Sequence, residues 1–206
     1  LKLAMEHGWA LERVFWCEEL CAPETREMLG RVTTDQVEVS EPIFRKLCMR
    51  DHGILGVVRE RTTPLASLPL GCWLVIDHVE KPGNLGALLR TSDALGVSGV
   101  VIVDGVVDVY NPNVVRASLG ALFSIPWSQS TRESFLAYTK ERRLPIYPTM
   151  LHDRSADYDG IVYPKACAIV VGSEARGLDP AWLRVAERPI IIPMCGSVNS
   201  LNVSVA

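Results

Sequence analysis

The chain has 206 residues, of which 48% are hydrophobic and 22% are charged, with a formal net charge of −3. This balance is typical of a globular protein with one large domain or a small and a medium one, and no apolar stretch reaches the roughly 18 residues of a membrane-spanning helix. The negative charge argues mildly against a nucleic-acid partner, unless basic residues cluster locally or a dimer pools two patches.

The first 62 residues predict a small α/β unit, which a proline-containing linker over 63–70 follows. The pattern of apolar residues predicts the end of an opening helix within 1–8 and then alternating strands and helices. In chain order these are a strand at 14–16, a helix at 23–29, a strand at 37–39, a helix at 41–48 and a strand at 54–58. Ser40 precedes the second of these helices and is expected to cap it through its hydroxyl.

Residues 71–206 alternate more regularly, which predicts a parallel sheet with helices on both faces. The predicted strands lie at 72–76, 100–103, 124–127, 146–147, 168–171 and 190–192, and the predicted helices at 84–95, 114–121, 132–143 and 181–185. Asn84 is expected to cap the first of these helices. Its Leu85, Leu88, Leu89 and Leu95 would form the stripe that faces the sheet.

The cysteines and histidines show no spacing typical of metal ligands. The chain has six cysteines and four histidines, without a C-x-x-C pair or an H-E-x-x-H sequence. Cys72 and Cys167 lie in or beside apolar runs, where a thiol is usually a small buried hydrophobe. The sequence therefore predicts free thiols in a reducing compartment and no metal site.

A first polar cluster follows the strand at 72–76 and contains Asn84, Gly86 and Arg90. A βα turn with a helix cap would explain most of it. Arg90 needs another explanation, because it lies about 600° around the helix from Asn84 and off the centre of the apolar stripe. Its guanidinium is a poor base, but it can clamp a phosphate and stabilise a forming alkoxide.

A second polar cluster, from Gly172 to Gly177, follows the strand at 168–171. A tight turn before a helix is the simpler interpretation. Gly172 would let backbone approach a ligand closely, and Gly177 is expected to adopt a conformation that other residues avoid. Glu174 would need a partner at this place, which Arg90 or neighbouring backbone amides could supply.

A third polar cluster extends from Ile192 to Val203. A buried strand with a polar loop is the simpler interpretation. Ile192, Met194 and Leu201 offer apolar surfaces that can flank an adenine ring, and Ser200 and Asn202 add uncharged hydrogen-bonding groups. No G-x-G-x-x-G follows a strand, which argues against a dinucleotide site for NAD.

Each cluster stands at or just beyond the end of an apolar run, and this is the edge of a parallel sheet where ligands bind. In this order and at these intervals they resemble the three motifs of the TrmH-type (SpoU) RNA ribose 2′-O-methyltransferases of the SPOUT superfamily. The resemblance implies an α/β parallel-sheet domain with a trefoil knot over 71–206, a homodimer formed through that domain, and S-adenosylmethionine as the cofactor. In that family a helix after the third motif completes the knot, and it is expected to be missing from this sequence.

The resemblance also implies roles for individual residues. The implied catalytic set is Arg90, Asn84, Glu174, Ser200 and Asn202. The implied cofactor-binding set is Thr149, Gly172, Ile192, Met194 and Leu201. It leaves open whether Arg90 acts in its own subunit or across the dimer.

Residues 1–62 resemble the ribosomal protein L30-like substrate-binding domain that often precedes this catalytic domain, with its first strand expected to be missing. The resemblance implies a structured RNA as the partner, and ribosomal RNA in preference to transfer RNA. The candidate phosphate contacts are Arg45, Lys46, Arg50, Arg59 and Arg61, although solvated surface charge is the commoner role of such residues. The implied location is the cytoplasm, and an incomplete N-terminus leaves an organelle open.

Three alternatives remain at this stage. The chain could be a transfer RNA ribose methyltransferase. A related knotted enzyme could methylate a base, and a target with deoxyribose would distinguish the two because it abolishes only ribose transfer. The third alternative is a non-catalytic RNA-binding or ribosome-assembly protein on the same fold.

Overall fold

The computed structural model describes residues 1–48, 52–173, 176–197 and 200–205. The chain divides into two compact units, Leu1–Arg61 and Thr62–Ala206. None of the helices in the described part of the chain combines the length and the apolar character that crossing a membrane requires.

The first unit is a three-stranded mixed sheet with three helices. Its elements are α1 (Lys2–Glu6), β1 (Leu11–Trp16), α2 (Pro23–Gly30), β2 (Gln36–Glu38), α3 (Glu41–Leu47) and β3 (Ile54–Val58), with a 3₁₀ turn at Glu18–Leu20. The central strand β1 runs parallel to β2 and antiparallel to β3. Val14, Leu29 and Val32 form its buried core.

All the predicted elements of this unit are present. Ser40 is the N-cap of α3, but its side chain makes no capping hydrogen bond among the described residues, so that detail was wrong.

The second unit is built on a five-stranded parallel sheet of order β6-β5-β4-β9-β7. Its elements are β4 (Cys72–Asp77), α4 (Pro82–Leu95), β5 (Gly99–Val103), α5 (Pro112–Ala117), α6 (Ala121–Ser124), β6 (Trp127–Ser130), α7 (Arg132–Arg142), β7 (Ile146–Pro148), β8 (Ala156–Asp157), β9 (Cys167–Val171) and β10 (Ile190–Ile191). Short 3₁₀ helices lie at Leu65–Ser67, Tyr158–Gly160 and Pro180–Arg184.

The two faces of this sheet bury different side chains. Trp73 and Val75 of β4 point to the same face as Val170 of β9 and pack in one cluster with Phe135 of α7 and Trp182. All five residues of β5 are buried, as expected of a strand that is covered on both sides. The sheet is therefore a rigid base from which the loops at its carboxyl edge project.

Helix α4 begins earlier than the sequence suggested. Pro82 occupies its first turn, where the missing N–H costs nothing, so Asn84 lies inside the helix and Lys81 is the N-cap. Leu85, Leu88 and Leu89 are buried as predicted, whereas Leu95 is 75% exposed and does not belong to the buried stripe.

Gly86 lets α4 pack closely against α5. A Cβ at this position would lie 2.6 Å from the Ala117 Cβ and 2.6 Å from the Val114 carbonyl oxygen. The close packing of these two helices therefore depends on a residue without a side chain.

Three further expectations need correction. The helix expected over 114–121 is two short helices, because Leu119 and Gly120 have positive φ angles of 50° and 95° and break it. The strand expected over 124–127 lies at Trp127–Ser130, and Ser124 ends α6. The strand expected over 190–192 pairs with β8 in a separate two-stranded sheet, and a single bridge between Thr149 and Ile190 connects it to the end of β7.

Candidate functional site

The first two polar clusters leave the sheet side by side. Strands β4 and β9 are parallel neighbours, and Ile76 pairs with Val171 in their register. The segment that leads from β4 into α4 and the segment that begins at Gly172 therefore start at adjacent points of the carboxyl edge. This is the arrangement that a ligand site of a parallel α/β domain requires.

An apolar cavity of about 510 Å³ lies between α4, the sheet and the third polar cluster. Three of the five predicted cofactor residues, Thr149, Ile192 and Leu201, line it. The Thr149 hydroxyl donates a hydrogen bond of 2.9 Å to the carbonyl oxygen of Val170, which fixes that side chain. A cavity of this size and character can hold a small organic ligand.

The other two predicted cofactor residues are placed differently. Met194 is 37% exposed, and the described lining of the cavity does not include Met194 or Gly172. A Cβ at position 172 would lie 2.7 Å from the carbonyl carbon and oxygen of Gly177. The close approach that Gly172 allows is thus to the backbone of its own loop, and its contact with a cofactor stays a prediction.

A backbone hydrogen bond connects the two ends of the second cluster. The Gly177 N–H donates a hydrogen bond of 2.8 Å to the Ser173 carbonyl oxygen, and Gly177 has a φ of +64°, the left-handed conformation that the sequence predicted. Glu174 lies outside the described residues, so its predicted role is untested.

The remaining candidates for catalysis do not line the described cavity. Asn84 is half-buried near the start of α4, and Ser200 is exposed. The Asn202 side chain accepts hydrogen bonds from the backbone N–H of Ser204 at 3.0 Å and from its hydroxyl at 2.9 Å. Asn202 therefore stabilises the turn that presents Leu201 to the cavity.

Arg90 is exposed on a different face of α4 from the cavity. The α4 residues that line the cavity are Leu88, Thr91, Ser92 and Leu95. At 100° per residue, Arg90 points roughly 150° away from their mean direction. The helix thus lies between the Arg90 guanidinium and the cavity.

Sequence reasoning missed a buried polar pair at the same edge. The Trp182 indole N–H donates a hydrogen bond of 2.6 Å to the carboxylate of Asp77, the last residue of β4. Burial raises the pKa of Asp77, while the indole hydrogen bond and the charge of Arg132 oppose that shift. An acidic residue at the end of an otherwise apolar strand was the available signal, but its partner follows the second cluster and could not be identified from the sequence.

Two cysteines form a close pair across the sheet. Cys72 and Cys167 are register partners in β4 and β9, with their sulfur atoms 3.9 Å apart. The Cys167 thiol donates to the Cys72 sulfur, which lowers the pKa of Cys72 to about 7 and raises that of Cys167. Cys167 is buried as predicted, whereas Cys72 is half-buried in the cavity wall.

The candidate RNA-binding residues of the first unit mostly have partners within it. Arg45 pairs with Glu41 at 2.7 Å, and Arg59 pairs with Glu12 at 2.8 Å. The Arg61 guanidinium lies 3.8 Å from the centre of the Trp9 ring. Lys46 is exposed, and Arg50 lies outside the described residues.

Within the described residues no group of three or more His, Cys, Asp or Glu side chains could hold a metal ion. The chemistry offered by the site is an apolar cavity next to polar loops, with carboxylate and guanidinium groups on the surrounding edge. This combination suits an organic cofactor and a polar, anionic second substrate.

Together, the parallel sheet, the paired strand ends and the adjoining cavity define a ligand-binding α/β domain with its site at the carboxyl edge. Residues 71–206 match the SpoU rRNA methylase family, so the chain belongs to that family. The family and the α/β parallel-sheet fold that the three motifs predicted are thereby confirmed, and the trefoil knot stays a prediction.

Individual relatives agree with this assignment. The chain is 28% identical to the 23S rRNA (uridine(2479)-2′-O)-methyltransferase of Streptomyces viridochromogenes, over 98% of this chain and 75% of that protein. It is 37% identical to the 23S rRNA (guanosine(2553)-2′-O)-methyltransferase RlmP of Bacillus subtilis, over 65% of this chain and 53% of that protein. The chain thus spans only about half the length of this second relative.

A solved structure matches both units of the chain. The SpoU methyltransferase AviRb of Streptomyces viridochromogenes, in complex with the cofactor AdoMet, has a TM-score of 0.89 and 28% identity. The match covers 100% of this chain and 82% of that one.

Proposed function

We propose that this protein transfers the methyl group of S-adenosylmethionine to a ribose 2′-hydroxyl of ribosomal RNA. The observation that supports this most directly is the cavity that Thr149, Ile192 and Leu201 line beside the paired ends of β4 and β9. Membership of the SpoU family gives the reaction class. Ribosomal RNA is favoured over transfer RNA because the relative that aligns with 98% of the chain is named as a 23S rRNA methyltransferase.

The residues around the cavity fit S-adenosylmethionine. Ile192 and Leu201 present apolar surface to an adenine ring, and the backbone of the third cluster can bind its polar edge. When bound, this cofactor supplies a methyl group that its positively charged sulfur already activates. The residues of the chain then have to align the cofactor with the ribose oxygen and exclude competing water, and such alignment can lower a barrier by roughly 7–11 kcal/mol.

Arg90 binds and orients the RNA in this proposal. Its guanidinium is exposed and has the planar shape that pairs with a phosphate through two hydrogen bonds. Placed beside the target nucleotide, it also stabilises the negative charge that develops on the 2′-oxygen. Asn84, Glu174, Ser200 and Asn202 complete the proposed catalytic set, with Gly172 and Met194 as further cofactor contacts.

The experiment that tests the function measures methyl transfer from labelled S-adenosylmethionine to ribosomal RNA. We expect the wild-type protein to methylate a single 2′-oxygen, and we expect a target with 2′-deoxyribose at that nucleotide to accept no methyl group. Arg90→Ala should lower the transfer rate at least about 100-fold, because it removes stabilisation made only in the transition state. Its affinity for S-adenosylmethionine, measured by calorimetry, should stay within about twofold of the wild-type value.

Each contrary result has a distinct meaning. Persistent transfer to the deoxy target would show that a base is methylated. Methylation of transfer RNA but not of ribosomal RNA would make transfer RNA the substrate. Cofactor binding without transfer to any RNA would favour a non-catalytic RNA-binding protein. Loss of cofactor binding in Arg90→Ala would show that Arg90 contributes to cofactor binding and not to the positioning of RNA.

A homodimer in which Arg90 orients the RNA beside the cofactor of the partner subunit is part of the proposal. Arg90 supports this arrangement, because it lies roughly 150° around α4 from the cavity-lining face. A guanidinium that points away from its own cavity is available to the cavity of a second copy. The proposed location is the cytoplasm, which an rRNA substrate supports, and an organelle with its own ribosomes is the alternative.

Mixing two inactive variants distinguishes action across the dimer from action within one subunit. Arg90→Ala keeps the cavity, and Leu201→Arg keeps Arg90 but puts a charge into the cavity wall. If Arg90 acts across the dimer, refolding the two together should restore about a quarter of wild-type activity, since half of the dimers are mixed and each has one complete site. A mixture as inactive as its components, with mixed dimers present by native mass spectrometry, would place Arg90 in its own subunit.

The first unit, residues 1–62 with a linker to about 70, acts in this proposal as the RNA substrate-binding domain of the ribosomal protein L30 type. The support is its mixed α/β architecture together with the exposed basic residues on it. Arg45, Lys46, Arg50, Arg59 and Arg61 are the proposed phosphate contacts.

A further inference from the structure

Asp77 and Trp182 connect the two polar clusters beneath the site. Asp77 is 5% exposed and ends β4, immediately before the first cluster. Trp182 is fully buried in the 3₁₀ helix Pro180–Arg184, which follows the second cluster. The 2.6 Å hydrogen bond from the indole N–H to the Asp77 carboxylate thus joins segments 105 residues apart.

A second set of polar contacts connects the start of the 3₁₀ helix to the chain that follows β5, the strand next to β4. One Asp179 oxygen accepts a hydrogen bond of 2.7 Å from the Ala181 N–H, and the other lies 3.1 Å from a guanidinium nitrogen of Arg132. The Arg132 backbone N–H in turn donates a 3.2 Å hydrogen bond to Asp104, which follows β5. The start of the 3₁₀ helix is therefore bonded to the carboxyl edge of the sheet by charged groups.

The described residues on both sides of the second cluster are held in place. Ser173 and Gly177 are joined by a 2.8 Å backbone hydrogen bond, and Leu178 is 7% exposed in the same core cluster as Trp182. The ring of Trp182 packs on Phe135 with 6.1 Å between the ring centres. Both ends of the second cluster are thus fixed, one by β9 and the other by Leu178, Asp179 and Trp182.

We propose that Asp77 and Trp182 are positioning residues, whose hydrogen bond holds the second cluster against the first so that their functional groups face the same substrate. Both side chains are buried, so they act in this proposal through the segments that they join. A misplacement of about 1 Å at a reacting centre can cost 100-fold in rate, so a short buried bond between the two clusters matters for the reaction. This inference rests on the proposed function.

Trp182→Phe tests the proposal, because it removes the indole N–H and retains an aromatic ring on Phe135. The matched control is Trp127→Phe, which removes another buried indole hydrogen bond of the same unit, the 3.0 Å bond from Trp127 to the Leu122 carbonyl oxygen. We expect Trp182→Phe to lower kcat for RNA methylation by 10- to 100-fold with KM for S-adenosylmethionine changed less than threefold. Trp127→Phe should keep kcat within about threefold of wild type.

A second measurement does not depend on activity. Trypsin can cleave after Arg176, which is exposed within the second cluster. Under native conditions we expect the rate of this cleavage, followed by mass spectrometry, to rise at least tenfold in Trp182→Phe and to stay unchanged in Trp127→Phe. Equal cleavage rates in the two variants would overturn the proposal, as would a wild-type kcat in a folded Trp182→Phe protein.

Substitutions of Asp77 separate the hydrogen bond from general stability. Asp77→Asn keeps an oxygen that can accept from the indole, whereas Asp77→Ala does not. Asp77→Asn should therefore retain kcat and trypsin resistance better than Asp77→Ala, and equal losses would contradict the proposal. If the wild-type protein methylates no RNA, the proposed function fails, and the trypsin rates still decide whether this bond positions the loop.

Discussion

At the scale of single residues, Cys72 links the sheet to the cavity. Its sulfur lies 3.9 Å from that of Cys167, and it forms part of the cavity wall. Because the Cys167 thiol donates a hydrogen bond to it, the Cys72 thiolate is stabilised and its pKa falls to about 7. Thiolates are the reactive form of cysteine, so Cys72 combines access from the cavity with reactivity near neutral pH.

Alkylation by iodoacetamide should report this environment. Below pH 7 Cys72 is mostly the neutral thiol and above pH 7 mostly the thiolate, so its alkylation rate should rise about tenfold between about pH 6 and pH 8 and then level off. A thiol with the ordinary pKa of about 8.5 would still be accelerating at pH 8. Peptide mass spectrometry follows the modified residue, and Cys72→Ser confirms the assignment.

The same reaction tests where the cofactor binds. Saturating S-adenosylmethionine should slow alkylation of Cys72 and leave that of Cys48, a half-buried thiol of the first unit that does not line the described cavity, unchanged. An alkylation rate of Cys72 that does not change with pH would contradict the lowered pKa of its thiol. A rate that does not change with S-adenosylmethionine would contradict binding of the cofactor in this cavity.

At the scale of elements, the sequence predicted best those strands that neighbouring elements bury on both faces. Strand β5 is buried along its whole length, so its uninterrupted run of valine and isoleucine identified it within a residue. Helix α7 was also well predicted, and the structure shows what begins it: the Thr131 side chain accepts a hydrogen bond from the Ser134 N–H as the N-cap.

The errors occur where distant packing decides the local structure. Leu119 and Gly120 adopt left-handed conformations that split the predicted helix, and nothing in the leucine itself signals this. Leu95 follows the helical spacing of the buried leucines but lies on the cavity wall, where it is 75% exposed. Strand β10 was found but assigned to the wrong sheet, because its pairing with β8 leaves no local pattern.

The candidate site was predictable to the extent that it follows from strand ends. The rule that ligands bind at the carboxyl edge of a parallel sheet identified the segments after β4 and β9. It did not show that these strands are neighbours, and it therefore could not pair Asp77 with Trp182. The direction of Arg90 relative to the cavity also required the structure, because the cavity-lining face of α4 extends to the exposed Leu95.

At the scale of the whole molecule, the net charge of −3 has to be reconciled with an RNA substrate. Arg45 and Arg59 already pair with glutamates of the first unit. Such exposed ion pairs contribute only about 0–1 kcal/mol, so exchanging a glutamate for an RNA phosphate costs little. RNA binding by this chain is therefore expected to depend on local groups of arginines and lysines, whose side chains exchange their acidic partners for RNA phosphates.

Removing the proposed phosphate contacts of the first unit tests this expectation. The variant combines alanine substitutions at Arg45, Lys46, Arg59 and Arg61. Each phosphate contact contributes about 0.7–0.9 to the slope of log affinity against log salt concentration, so the slope should fall by roughly 3 and RNA affinity at low salt should drop. Affinity for S-adenosylmethionine should not change, because none of these residues lines the described cavity.

A control variant of equal charge separates specific contacts from net charge. It combines alanine substitutions at Lys2, Arg13, Arg26 and Arg31, which also pair with acidic residues of the first unit. Both variants lose three arginines and one lysine, so the change in net charge is the same. A salt slope that falls only in the first variant would support the proposed RNA surface, whereas equal losses would show that net charge alone controls RNA affinity and that the four proposed residues do not contact phosphate.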